Sequence, residues 1–108
     1  MGTIPIKDAQ TWESEVINSE IPVFVDFWAE WCGPCRMVGP VVEELAGDYD
    51  ERVKFVKVNI DEASELASKY QVYSIPTLFL FNKGEVVKQQ IGAASKESYQ
   101  GMIDGVLA

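Results

Sequence analysis

The chain has 108 residues, enough for one hydrophobic core and too few for two, so we expect a single domain over residues 1–108. Hydrophobic residues make up 47% of the sequence and aromatic residues 11%, which excludes a disordered chain. The formal net charge of −8 disfavours nucleic acid and anionic membranes as partners, so the expected partners are other proteins.

Hydrophobic spacing predicts these elements in chain order: an edge strand at residues 3–6, a helix at 8–18, a central strand at 23–29, a long helix at 34–49, a strand at 52–60, a short helix at 63–70, a hairpin of strands at 77–81 and 85–91 joined by a turn at 82–84, and a last helix after residue 95. Pro5 is tolerated only at a sheet edge, and Asp8 and Ser95 suit the N-caps of the helices that follow them. Pro40 lies inside the long helix, where it either bends the helix or is tolerated without a bend. The strand–helix–strand order over residues 23–60 makes those two strands parallel, whereas the strands of the hairpin are antiparallel. Together they predict an α/β design: a mixed sheet with helices on both faces.

No apolar run approaches the roughly 20 residues that cross a bilayer, and the N-terminus lacks the basic and apolar regions of a signal peptide. We therefore expect a monomeric cytoplasmic protein without membrane attachment, or a protein of an organelle stroma or matrix if a transit peptide was removed. The sequence has no histidine, so acid–base chemistry near neutral pH falls to a perturbed carboxylate, a cysteine or water.

The only two cysteines, Cys32 and Cys35, are separated by Gly33-Pro34 and preceded by Trp31. If a helix begins here, Pro34 suits its first turn, because the N–H that proline lacks would be unpaired there anyway. The positive end of the helix dipole then favours the thiolate of Cys32 and makes it the attacking sulfur. Cys35, one turn further on, is expected to be more buried and to act second.

Three interpretations of this cysteine pair compete. A C-x-x-C beside a β-α-β pattern is typical of a redox-active dithiol. Half of a zinc site is the second, but zinc takes about four ligands, and only carboxylates or a second chain could complete the set here. The third is a structural bridge, which over so short a loop would remove little entropy from the unfolded chain.

The chain resembles the thioredoxin family over nearly its whole length, on motifs that stand in this order: Val25-Asp26-Phe27-Trp28-Ala29-Glu30, Trp31-Cys32-Gly33-Pro34-Cys35, Ser74-Ile75-Pro76-Thr77 and Ile91-Gly92-Ala93. The resemblance implies the thioredoxin fold, with a mixed five-stranded central sheet flanked by four helices. It also implies a protein-disulfide reductase, a thiol-disulfide oxidoreductase that carries electrons in cell redox homeostasis without a cofactor or metal. Because the chain has no Gly-rich dinucleotide or flavin fingerprint, a separate enzyme must re-reduce it. The resemblance implies a thioredoxin reductase linked to NADPH or ferredoxin, with disulfide-containing proteins as targets.

Asp26 is the one charged residue of the predicted central strand. Either it faces solvent near the strand's end, or it is buried beneath the dithiol with a raised pKa, because desolvation disfavours its charged form. In the second position it could take the proton of Cys35, the role that the resemblance also assigns to it. Lys57 is either a solvated strand lysine or a partner that restrains the pKa of Asp26, and the resemblance favours the coupling.

The resemblance also implies a substrate-binding groove beside the dithiol, formed by Trp31, Gly33, Pro34, Ile75, Pro76, Gly92 and Ala93. Pro76 matches the family's cis proline, and the backbone of Ile75 would pair with an extended substrate segment. Gly92 and Ala93 either permit close approach or form an ordinary loop. Trp31 is expected to be exposed and Trp28 to pack in the core. Tyr73 departs from the commoner family pattern beside this groove.

Two other functions remain open at this point. One is a binding subunit in which the fold supplies an interface and the dithiol is idle. The other is a disulfide oxidase or isomerase of an oxidising compartment, since the same C-x-x-C spacing serves both directions of electron flow. Gly33-Pro34 resembles the reducing branch of the family, and the missing signal peptide agrees with it.

Overall fold

Backbone hydrogen bonding builds five strands and four helices in a computed structural model that describes residues 2–108. In chain order they are β1 (Ile4–Ile6), α1 (Ala9–Trp12, continued by a π-helical turn, Glu13–Ile17), β2 (Val23–Trp28), α2 (Gly33–Asp48), β3 (Lys54–Asn59), α3 (Ser64–Lys69), β4 (Thr77–Asn82), β5 (Glu85–Ile91) and α4 (Lys96–Leu107). The predicted fold class and order of elements are confirmed. Asp8 and Ser95 cap α1 and α4 by accepting the backbone N–H three residues on, as predicted.

The five strands form one mixed sheet in the order β1-β3-β2-β4-β5. Strand β2 lies at its centre, parallel to β3 and antiparallel to β4. Its residues from Val23 to Phe27 are all buried, because helices cover both faces of the sheet. Strand β1 lies at one edge, where Pro5 does not have to donate a hydrogen bond to an outer neighbour.

Each face of the sheet has its own apolar core. On one face Trp12 of α1 and Leu66 of α3 pack with Phe27 of β2. On the other face α2 and α4 pack over Phe24 of β2. Since side chains alternate along a strand, Asp26 lies on the same face as Phe24, beneath α2. Strand β2 therefore carries a carboxylate towards the helix that carries both cysteines.

Two local features differ from the sequence prediction. The hairpin turn is shorter than expected, because β4 continues through Asn82 and only Lys83 and Gly84 connect the strands. Both have positive φ, of 54° and 81°, as a type I′ turn requires. The second feature is the π-helical turn after α1, in which the N–H of Asn18 donates to the carbonyl of Glu13 at 2.9 Å.

Gly84 and Gly101 provide a pair of opposite stability predictions. A Cβ at Gly84, where φ is +81°, would lie 3.0 Å from the carbonyl oxygen of Ile17, so Gly84→Ala is expected to destabilise the fold by about 1–2 kcal/mol. A Cβ at Gly101, inside α4, would meet nothing within 4 Å, so Gly101→Ala is expected to stabilise it by about 0.5–1 kcal/mol. Urea unfolding midpoints measure both, and shifts of equal sign would contradict the argument.

Candidate functional site

The two cysteines form a disulfide at the start of α2, with their Cα atoms 5.3 Å apart. Cys32 is the N-cap of the helix, and its Sγ accepts the backbone N–H of Cys35 at 3.2 Å. Pro34 lies in the first turn, as predicted. When the bridge is reduced, the same N–H and the positive end of the helix dipole favour a thiolate on Cys32. The local geometry therefore prepares one of the two sulfurs for attack.

Both cysteines are almost fully buried, Cys32 being 4% exposed and Cys35 5%. The prediction that Cys35 is the more buried of the two is therefore wrong. The bridge holds the sulfurs together under the same neighbours, among them Trp28 and Ile75. What separates the cysteines is the surface that each one lines, since they belong to two different depressions.

Cys32 lines an open depression of about 380 Å³. Its other lining residues come from the loop before α2, the first turn of α2, the residue after β3 and the segment before β4: Trp31, Gly33, Pro34, Ile60, Val72, Tyr73, Ser74 and Ile75. The Ile75–Pro76 bond is cis, as the family resemblance implied. The carbonyl oxygen of Ile75 lies 3.7 Å from Cys32 Sγ. An extended segment placed in this depression would therefore run directly beside the sulfur of Cys32.

Large exposed side chains border this depression. Trp31 is 65% exposed, as expected, and Tyr73 is 86% exposed. The indole N–H of Trp31 donates to Oδ2 of Asp61 at 2.9 Å, which fixes the ring on the loop after β3. Sequence reasoning did not identify Asp61. The only signal in the sequence was an acidic residue just after β3. Because β3 is parallel to β2, the C-terminal ends of both strands lie at the same edge of the sheet.

Gly92, a residue of the predicted groove, follows β5 and is not among the residues that line the depression beside Cys32. Its φ is +88°, and its N–H donates to the carbonyl oxygen of Pro76 at 2.8 Å. A Cβ at Gly92 would meet nothing within 4 Å, so the backbone conformation, and not crowding within this chain, requires glycine. Ala93 follows it and is exposed. The hydrogen bond ties the loop after β5 to the cis proline.

Asp26 is 1% exposed, and the interpretation that it faces solvent is wrong. Within residues 2–108, its Oδ1 has no hydrogen-bond partner. Burial raises the pKa of Asp26 to about 6, an effect that Lys57 opposes and Glu43 reinforces. A carboxyl group with this pKa exchanges a proton close to neutral pH, as a general base must.

Lys57 stands directly opposite Asp26 in the register of β2 and β3. Its positive charge lowers the pKa of Asp26, while its Nζ lies 4.5 Å from the centre of the Trp28 ring, in a cation–π contact. Trp28 is only partly buried and packs against the cysteines, so it is less central to the core than expected. Lys57, Trp28 and Cys35 line the same depression, of about 540 Å³.

Known proteins match this arrangement. The Thioredoxin family model matches residues 3–105. The chain belongs to the thioredoxin family. It is 52% identical over 94 residues to Thioredoxin 1 of Synechococcus elongatus, covering 87% of this chain and 88% of that protein. With Thioredoxin 1 of Nostoc sp. it shares 54% identity over 86 residues, 80% of each chain. With Thioredoxin M5, chloroplastic, of Oryza sativa it shares 45% identity over 101 residues, 94% of this chain and 59% of that protein.

Family membership and the disulfide-forming pair make this protein a thiol-disulfide oxidoreductase. Proteins of the thioredoxin family act as protein-disulfide reductases, so the redox interpretation of the cysteines is confirmed. The family implies disulfide-containing targets and a reductase as partners. In the described residues, 2–108, no helix combines the length and the apolar character needed to cross a membrane.

Proposed function

We propose that this thioredoxin-family protein reduces disulfides in extended segments of target proteins, with Cys32 as the nucleophile. The observation that carries the proposal is the position of Cys32: its Sγ accepts the N–H of Cys35 at the helix N-terminus and lines the depression beside Ile75. The first feature stabilises the thiolate, and the second brings a target disulfide to it.

The cycle begins with the Cys32 thiolate attacking one sulfur of the target disulfide. The target S–S bond breaks, a mixed disulfide forms, and the departing target thiolate takes a proton. Cys35 then gives its thiol proton to the carboxylate of Asp26 and attacks Cys32 Sγ. The mixed disulfide breaks, the second target thiolate leaves and is protonated, and the Cys32–Cys35 bridge forms. Two electrons have passed to the target, which leaves as a dithiol.

Asp26 and Lys57 are the residues we assign to the second half of this cycle. Asp26 has a pKa of about 6, so at neutral pH it is mostly ionised and can accept the proton of Cys35. Lys57 limits the rise of that pKa, which keeps Asp26 from remaining protonated. Cys35 and Lys57 line one depression, and Lys57 stands opposite Asp26 in the register of β2 and β3, which supports proton transfer between Cys35 and Asp26 at this place.

We assign target binding to the groove that is formed by Trp31, Gly33, Pro34, Ile75, Pro76, Gly92 and Ala93. The backbone of Ile75 is the edge along which an extended target would pair. A separate reductase, linked to NADPH or to ferredoxin, re-reduces the bridge, which makes the protein a carrier in electron transport and redox homeostasis. We further propose a monomeric single domain over residues 1–108, located in the cytoplasm or in an organelle stroma or matrix.

The test is the reduction of insulin disulfides with dithiothreitol as the electron donor. We expect the wild type to accelerate the reaction above dithiothreitol alone, and Cys32→Ser to abolish the acceleration. Glu44→Gln, a change of the same helix at an exposed position paired with Lys96, serves as the control and should retain activity. A wild type no faster than dithiothreitol alone would favour a binding subunit with an idle dithiol. Equilibration with glutathione separates a reductase from an oxidase or isomerase.

A further inference from the structure

Glu43 lies on the face of α2 that carries Cys35. Positions 35, 39 and 43 are spaced four apart, so they share one helix face, and all three line the depression of about 540 Å³ that also contains Lys57. Gly39 adds no side chain between Cys35 and Glu43, and a Cβ there would meet nothing within 4 Å. The carboxylate of Glu43 therefore shares an open space with the second cysteine of the bridge.

The residue before β1 brings a hydroxyl group to Glu43. Pro5, Lys57 and Asp26 form one row across β1, β3 and β2. Thr3 precedes Pro5 by two residues, and its Oγ1 donates to Oε2 of Glu43 at 2.8 Å. This hydrogen bond therefore holds the Glu43 carboxylate at the β1 edge of the row, next to the strand that carries Lys57.

The titratable groups that act on Asp26 from the surrounding elements are Lys57 of β3, Glu43 of α2 and Tyr99 of α4. Cys35, Glu30 and Arg36 line the depression that Lys57 and Glu43 share, and Arg36 donates to the backbone carbonyl of Glu30 at 3.1 Å. Beneath the larger effect of burial, Lys57 lowers the pKa of Asp26 and Glu43 raises it. Burial also raises the pKa of Tyr99, with Asp26 contributing, so this phenol stays neutral. Beyond burial, the pKa of Asp26 therefore depends on one ammonium group, that of Lys57, and one further carboxylate, that of Glu43.

We propose that Glu43, held by Thr3, is a positioning residue of the reduction cycle: its negative charge, in the depression that Lys57 and Cys35 also line, opposes the effect of Lys57 on Asp26 and so keeps Asp26 able to retain the proton of Cys35. The inference rests on the role of Asp26 in the proposed function. If Glu43 loses its charge, the stabilisation of the ionised form of Asp26 by Lys57 is no longer opposed. Asp26 then becomes a weaker base, and the pH range in which it accepts a proton moves down.

The test is a titration of the Asp26 carboxyl carbon by NMR in the oxidised protein at low ionic strength. For Glu43→Gln we expect the Asp26 transition to move down by a few tenths of a pH unit, because Glu43 is exposed and its charge is partly screened. High salt should reduce this shift. Glu43→Asp keeps the charge and should remain nearer to the wild type, and Thr3→Val should shift the transition in the same direction as Glu43→Gln.

Glu44→Gln is the matched control, because it removes the same charge from the next residue of α2. Glu44 pairs instead with Lys96 at 2.7 Å, and we expect no shift of Asp26. An unmoved transition in Glu43→Gln, or an equal shift in Glu44→Gln, would overturn the proposal. A Thr3→Val protein that titrates like the wild type would overturn the part assigned to the hydroxyl group.

The pH profile of insulin reduction separates this inference from the function on which it rests. Glu43→Gln should move the acid side of the profile to lower pH in the wild-type background and have no further effect in an Asp26→Asn background. If Asp26→Asn leaves the profile unchanged, the proposed role of Asp26 is wrong. In that case the NMR shift would still decide whether Glu43 acts on Asp26.

Discussion

Cys35→Ser is expected to stop turnover and leave target proteins covalently attached through Cys32. The Cys32 thiolate can still attack a target disulfide, because its N-cap position and the backbone N–H of residue 35 are retained. Serine cannot resolve the mixed disulfide that forms. We expect steady-state insulin reduction to fall by about three orders of magnitude or more, as for other residues that act as one catalytic unit. Non-reducing electrophoresis and intact mass will show the trapped adduct.

Cys32→Ser is the matched control for this experiment. It is equally inactive in turnover but should trap no target, since the remaining thiol of Cys35 lacks the N-terminal position that stabilises a thiolate. The two cysteines are equally buried, so a difference between the variants will reflect local electrostatics and the depression that each sulfur lines. Trapping by Cys32→Ser and not by Cys35→Ser would reverse the assigned order of attack.

Much of the fold could be predicted because the pattern of apolar residues within each short segment indicates its secondary structure. The apolar run of β2, the apolar stripe of α2 and the alternation in the hairpin each follow from one period of side-chain placement. The redox function of the cysteines could also be predicted, since two cysteines at this spacing at the start of a helix are typical of a redox-active pair. The π-helical turn after α1 was missed, because nothing in residues 13–17 separates it from an ordinary helix end.

The parts of the site that escaped prediction depend on residues far apart in the chain. The Trp31–Asp61 hydrogen bond spans 30 positions and the Thr3–Glu43 hydrogen bond 40, so neither leaves a periodic signal. The equal burial of Cys32 and Cys35 likewise follows from their covalent bond and shared cover. For Asp26 the sequence allowed two positions, and the face shared with Phe24 under α2 decided between them.

The free energy of unfolding of Asp26→Asn, relative to that of the wild type, is expected to be higher at neutral pH than in acid. The pKa of Asp26 rises from 3.8 to about 6 on folding, because burial disfavours the charge. As pH increases from about 3 to 7, the unfolded chain loses this proton before the folded protein does, so wild-type stability falls across that window. A difference of about two units between the folded and unfolded pKa corresponds to about 3 kcal/mol of unfolding free energy. Asparagine does not titrate, so the variant lacks this loss.

The measurement is the free energy of unfolding of the oxidised proteins in urea at several pH values. The advantage of Asp26→Asn over the wild type should grow by about 3 kcal/mol between pH 3 and pH 7, whatever constant cost the buried amide adds. Glu85→Gln removes a charge from an exposed position on β5 and should show no comparable gain. A variant whose stability runs parallel to the wild type at all pH values would mean that Asp26 ionises as easily in the folded protein as in the unfolded chain. Asp26 could then no longer be assigned as the base that is matched to Cys35 near neutral pH.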